Sequence, residues 1–112
     1  IGCDAPADPG EVLRGSEQWA GCVAYRVRGT SMLAEHICDG DYLIVRPGDH
    51  AMIGTIVVAW LADENGHVVK KLSPNGYLRS GGKTRWAHKL GDNDRIFGVL
   101  EAIVRLLGAR NG

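Results

Sequence analysis

Ser31 and Lys70 are the two side chains of this sequence whose types and settings suit acyl-transfer chemistry. Ser31 follows Gly29 and Thr30 at the sharp exit of an alternating apolar segment, and Lys70 lies inside the run His67-Val68-Val69-Lys70-Lys71-Leu72. A serine hydroxyl is a poor nucleophile at its ordinary pKa, and a neutral amine within hydrogen-bond reach activates it by taking its proton. Ser–Lys pairs are one variant of serine-hydrolase logic. Period-two alternation sends Val68, Lys70 and Leu72 to one face of a strand and His67, Val69 and Lys71 to the other. With the Val68/Leu72 face buried, Lys70 is the desolvated lysine and Lys71 the solvated one. Burial disfavours the ammonium form, so the Lys70 pKa falls towards neutrality and a free amine becomes available.

These residues need a scaffold, and the sequence predicts a mainly antiparallel β fold with little helix. From Gly21 to Arg28, Val23, Tyr25 and Val27 alternate with Ala24, Arg26 and Arg28, the pattern of a half-buried strand that Gly29 ends. Ser31 to Ile37 fits one or two helical turns, with Ser31 as N-cap and free backbone N–H groups beside it. Asp39-Gly40-Asp41 signals a turn into a strand at Tyr42-Leu43-Ile44-Val45, which Pro47-Gly48 stops. Thr55 to Leu61 reads as a strand buried on both faces. Asn65-Gly66 is the strongest hairpin signal, joining it to His67 through Leu72. Pro74-Asn75-Gly76 turns the chain into Tyr77-Leu78-Arg79. Ser80 to Asp94 reads as irregular, and Ile96 to Leu107 as a closing strand with a bulge at Gly98. Ile1 to Glu17, with Pro6, Pro9, Gly10 and Gly15 among small and acidic residues, reads as an extended arm. The expected division is an arm over 1–20 and a β domain over 21–112.

Composition fits one small domain. A length of 112 residues suffices for a modest single core. Sixteen glycines and a single phenylalanine point to tight turns around Val, Ile and Leu. Thirteen basic and thirteen acidic side chains cancel, so no global attraction to nucleic acid is expected, and DNA binding would belong to a segment outside this chain. No stretch approaches the roughly 18 apolar residues of a membrane span. The start at Ile1 rather than methionine suggests a fragment, a processed product or a trimmed chain. Cys3, Cys22 and Cys38 are an odd set with no C-x-x-C pair, which argues against a disulfide framework or a zinc site and fits a reducing cytoplasm. His36, His50, His67 and His88 lack ligand spacing, so neither a metal nor a cofactor is expected. Asp39 and Asp41 read as turn carboxylates. Cys22 and Cys38 read as small buried residues, and Trp19, Trp60 and Trp86 as core or dimer packing. Lys83, Arg85, His88 and Lys89 form a basic patch on a solvated loop.

The segment Gly29-Thr30-Ser31-Met32, followed by Asp39-Gly40-Asp41, closely resembles the Gly-x-Ser-Met…Asp-Gly-Asp signature of the LexA-like S24 peptidases. Val69-Lys70-Lys71-Leu72 resembles their lysine strand, in the family's order and at about its separation. The resemblance covers Tyr25 to Leu72 and, more weakly, the last strand. It implies a LexA/signal-peptidase-like fold of strongly bent antiparallel sheets, with Ser31 as nucleophile and Lys70 as general base. It also implies an oxyanion site at the backbone near Ser31 and Met32, supported by Gly29 and Asp41. The implied activity is cleavage of the protein's own linker, or another protein's, through an acyl-enzyme. The implied partners are a second copy in a homodimer, a RecA-like activator, and DNA only through a missing N-terminal domain, with no membrane association. Family cleavage sites are commonly Ala-Gly or Cys-Gly, and the arm Gly2-Cys3-Asp4-Ala5-Pro6-Ala7-Asp8-Pro9 contains neither. Ala20-Gly21 adjoins the first strand, too close to Ser31 for easy return. Alternatives are a UmuD-like polymerase accessory protein, a protease acting in trans, and a non-catalytic dimer or partner-binding module.

Overall fold

The computed structural model describes residues 19–29, 32, 35–80 and 86–106. Seven strands form its sheet: β1 Val23–Arg26, β2 Tyr42–Pro47, β3 Ile56–Leu61, β4 Gly66–Ser73, β5 Tyr77–Arg79, β6 Ala87–Lys89 and β7 Arg95–Val104. They lie in the order β1-β2-β7-β3-β4-β5-β6, and every pairing is antiparallel. The fold is therefore mainly β, as expected, and its closing strand runs between β2 and β3.

Side chains on both faces of β1 to β4 are buried. Tyr25, Val27, Met32, Ile37, Leu43, Val45, Val58 and Val69 form one buried cluster. Val57, Ala59, Leu61, Val68, Leu72 and Leu78 form a second, and Cys22, Ala24 and Ile44 a third. Chain neighbours such as Val57 and Val58, or Val68 and Val69, fall in different clusters, because successive side chains leave a strand on opposite sides. This two-sided burial explains the uninterrupted apolar runs of β2 and β3. It also corrects the half-buried reading of β1, where Ala24 is as buried as Tyr25.

β7 carries two irregularities. Against β3, Val58 pairs with Gly98 and Ala59 with Ile96, which leaves Phe97 as the extra residue of a bulge. Against β2, Ile44 pairs with Ala102 and Val45 with Leu100, passing over Glu101. Gly98 sits where β2 leaves no room for a side chain: a Cβ there would lie 2.5 Å from Val45 Cγ1 and 2.6 Å from the Arg46 carbonyl oxygen.

Three local expectations change. The β3–β4 hairpin forms, but Leu61 pairs with Gly66, so its loop has four residues and Asn65 occupies the left-handed region at φ 49°. The stretch from Ser80 to Asp94 contains β6, whose Ala87-His88-Lys89 lacks apolar alternation and forms because β5 offers it an edge. Of the one or two helical turns expected from Ser31 to Ile37, the described part shows a 3₁₀ turn ending at Glu35: the Glu35 and Ile37 N–H groups donate to the Met32 carbonyl at 3.0 and 3.2 Å, and His36 ends it at φ 65°. The arm over 1–18, Lys83, Arg85 and Leu107 lie outside the described residues.

Candidate active site

Lys70 is the buried lysine of the pair on β4, with 1 % of its surface exposed. Its Nζ donates to Ser80 Oγ at 3.0 Å and lies 4.4 Å from the centre of the Trp86 ring. Burial pushes its pKa below the ordinary 10.5, against a smaller upward pull from the charge of Glu64. Lys71 points the other way, half-exposed, with Nζ 3.5 Å from Glu35.

Strand register accounts for this environment. β4 and β5 pair Lys71 with Arg79 and Leu72 with Leu78, so one step further places Ser80 across from Lys70. β5 and β6 pair Leu78 with His88 and Arg79 with Ala87, and one step further places Trp86 across from Ser80. There the Ser80 N–H donates to the Trp86 carbonyl at 3.3 Å. On the other side, Val57 pairs with Lys70. Val57, Lys70, Ser80 and Trp86 thus form one row across the sheet, close enough for side chains to touch. In the neighbouring row His88 stacks on Trp86 at 6.0 Å and 18°, and its Nε2 lies 2.8 Å from Asp94 Oδ2. Asp94 also accepts from the Gly91 and Ala62 N–H groups, and these bonds, Gly91's foremost, hold its carboxyl down to about 2.

Ser31 lies outside the described residues; its flanks do not. Gly29 takes φ 96°, a conformation that suits glycine, and its N–H donates to Asp39 Oδ1 at 2.7 Å. Met32 is fully buried in the same cluster as Val69. Asp41 is also buried, and its Oδ2 accepts from the Cys38 N–H at 2.8 Å. Arg105 grips both carboxylate oxygens, Nε to Oδ1 at 2.8 Å and Nη2 to Oδ2 at 2.9 Å. The same Nη2 reaches the His36 carbonyl at 3.2 Å and Cys38 Sγ at 3.1 Å. Burial alone would raise the Asp41 carboxyl. The hydrogen bonds from Arg105 and Cys38, with the guanidinium charge, outweigh it and leave the pKa below the usual value.

Sequence reasoning did not single out Ser80 or Arg105 and gave Trp86 a generic packing role. For Ser80 and Trp86 a signal existed: counting outward from the Pro74-Asn75-Gly76 turn sets Leu72 against Leu78 and Lys70 against Ser80. Arg105 has no local signal, because it meets Asp41 across 64 positions of chain. Among the described residues no group of three or more His, Cys, Asp or Glu could hold a metal ion, and no helix is long and apolar enough to cross a membrane.

Fold and site together define a class, an antiparallel β domain that buries one lysine of a β-strand pair. The family profile described as Peptidase S24-like matches residues 7–79, and the chain belongs to that family. Relatives include the LexA repressor of Moorella thermoacetica, 63 % identical over 38 residues, covering 34 % of this chain and 18 % of the relative. The LexA repressor of Thermotoga petrophila is 54 % identical over 39 residues, 35 % of this chain and 20 % of its own. That of Pseudothermotoga lettingae is 33 % identical over 87 residues, 74 % of this chain and 43 % of its own. The chain spans less than half the length of each.

Proposed function

We propose that this chain is the C-terminal Ser–Lys self-cleaving peptidase and dimerisation domain of a LexA-like transcriptional repressor. Ser31 attacks the scissile carbonyl while neutral Lys70 takes the hydroxyl proton and passes it to the leaving amine; water then hydrolyses the acyl-enzyme. Backbone N–H groups near Ser31 and Met32 receive the oxyanion. Gly29, bonded to Asp39, and Asp41, gripped by Arg105, fix the two ends of the segment that carries Ser31. The substrate is the protein's own linker or another protein's. A RecA-like partner favours the cleavable state, DNA is met only through an N-terminal domain, and the setting is cytoplasmic.

The observation that carries this reading is Lys70 itself. Lysine is almost never fully buried, since removing an ammonium from water is costly without a compensating use. Here one is buried on the strand that the family's lysine motif occupies, with its pKa lowered. Met32 belongs to the same buried cluster as Val69, and Glu35 lies 3.5 Å from Lys71, so the segment after Ser31 runs beside β4, with these two contacts on the face opposite the Lys70 side chain.

The test is incubation of the full-length protein between about pH 6 and 10, with fragments sized by intact mass. Cleavage should rise with pH as Lys70 loses its proton, and should vanish in Ser31→Ala and Lys70→Ala. Fragments that form equally in either variant would refute the dyad. Cleavage that appears only with an added second peptide would assign the protein to the trans-acting class.

A further inference from the structure

A base must present its lone pair in one direction, and the row across β4, β5 and β6 supplies two groups that fix it. Neutral Nζ has two N–H groups and one lone pair. Ser80 Oγ, 3.0 Å away, accepts one N–H, which sets the lone pair at a tetrahedral angle to that bond. The Trp86 ring lies against the same nitrogen at 4.4 Å, within the range of a cation–π contact once the amine is protonated. Both groups are themselves held. The Ser80 N–H is bonded to the Trp86 carbonyl, and Trp86 is backed by His88, which Asp94 anchors.

We propose that Ser80 and Trp86 are positioning residues for the Lys70 amine, orienting its lone pair toward the Ser31 proton and stabilising the ammonium that results. This rests on the peptidase reading above. The proton leaves Ser31 Oγ as the Oγ–carbon bond forms and resides on Nζ. It moves to the departing amine nitrogen as the carbon–nitrogen bond breaks, and Ser80 keeps its own proton throughout. Ser80 takes the positioning role because its Oγ accepts from Lys70 Nζ while its own N–H is taken up by the Trp86 carbonyl, so it offers no oxyanion donor of its own. The elements packed beside Lys70 among the described residues present the following groups. β3 presents Val57, and the β3–β4 loop contributes Glu64. On β6, His88 stands behind Trp86 with Asp94 beyond it. Tyr77, Arg79 and Lys89 gather on the opposite face, where both cations lie over the Tyr77 ring.

Both groups favour the charged amine over the neutral one, since hydrogen bonds and ring contacts to an ammonium are the stronger. Ser80→Ala in the full-length protein should therefore lower the alkaline plateau of cleavage about 10- to 100-fold, through lost orientation. It should also move the midpoint of the pH profile downward, and Ser80→Thr should restore both. Trp86→Leu should move the midpoint the same way, and Trp86→Phe less. A Lys70 titration followed by its 13Cε signal, assigned by its loss in Lys70→Met, should move in parallel. A Ser80→Ala protein with an unmoved profile and titration would overturn the proposal. So would one that never cleaves while Ser31→Ala still does, since Ser80 would then be the nucleophile. If the parent never cleaves, the peptidase reading fails by itself, and the NMR titration alone decides whether Ser80 and Trp86 hold the amine.

Discussion

At the scale of single residues, Lys70 is a stability liability kept in the core. Its folded-state pKa is depressed below 10.5 by burial. Between that depressed value and 10.5 the unfolded chain holds a proton that the native chain has released, so native stability rises with pH across the window. Below the window both states are protonated, and the native state carries the full cost of a buried ammonium. Lys70→Met keeps the length and removes the charge. It should stabilise the domain by about 1–2 kcal/mol at neutral pH, roughly 5–10 °C in Tm. The gain should shrink as the pH approaches that of free lysine. Thermal melts across that range check it, and a variant destabilised at neutral pH would contradict the account. This lysine was legible from alternation alone, since Val68 and Leu72 announce their face. Its neighbours Ser80 and Trp86 were not, because their meeting depends on the register of two short hairpins. The Asp41–Arg105 pair was still less accessible, joining a turn carboxylate to the far end of β7.

At the scale of elements, β7 was predictable as a strand and as bulged next to Gly98, where Phe97 is the extra residue, but its second irregularity at Glu101 and its place were not. Nothing in Arg95–Val104 says that it inserts between β2 and β3 rather than adding at an edge. β6 escaped for a different reason: three residues with no apolar pattern become a strand only because β5 presents unpaired backbone groups. The bulge has a measurable consequence. A methyl group at Gly98 would meet the Arg46 carbonyl, which is backbone and cannot swing aside as a side chain would. Gly98→Ala should therefore force β2 and β7 apart and cost about 1–3 kcal/mol, as overpacking does. Denaturant unfolding measures this. Because β7 also delivers Arg105 to Asp41, the variant should loosen the turn over 36–41, visible as faster amide exchange at Cys38. Loss of stability without that local change would separate the two effects.

At the scale of the whole molecule, the proposed dimer has a natural seam. β2 pairs with β7 over residues 98–104, whereas β3 reaches only to Val99 on the other side. Among the described residues, Leu100 to Val104 therefore has no strand partner on that side, and exposed strand edges invite pairing with another chain. Phe97 and Ile103 on the same strand and Leu106 just beyond its end add apolar surface, 40 %, 38 % and 44 % exposed. A second copy related by a two-fold axis would set its own β7 antiparallel to this one. That brings the same segment of each chain together, as a closed symmetric dimer requires. Two aligned DNA readers on one palindromic site need such a pairing, which ties the seam to the proposed repressor role. The protein should sediment as a dimer at about 10 μM. Ile103→Glu sets two like charges near the axis and should weaken association at least tenfold, about 1.4 kcal/mol, while circular dichroism keeps its β signature. Cleavage within one chain does not need the seam, so the Ile103→Glu monomer should still cut itself at the parental rate. A monomeric parent at that concentration would sink the dimer, and a monomeric variant that folds but no longer cleaves would mean that the partner copy supports the active site.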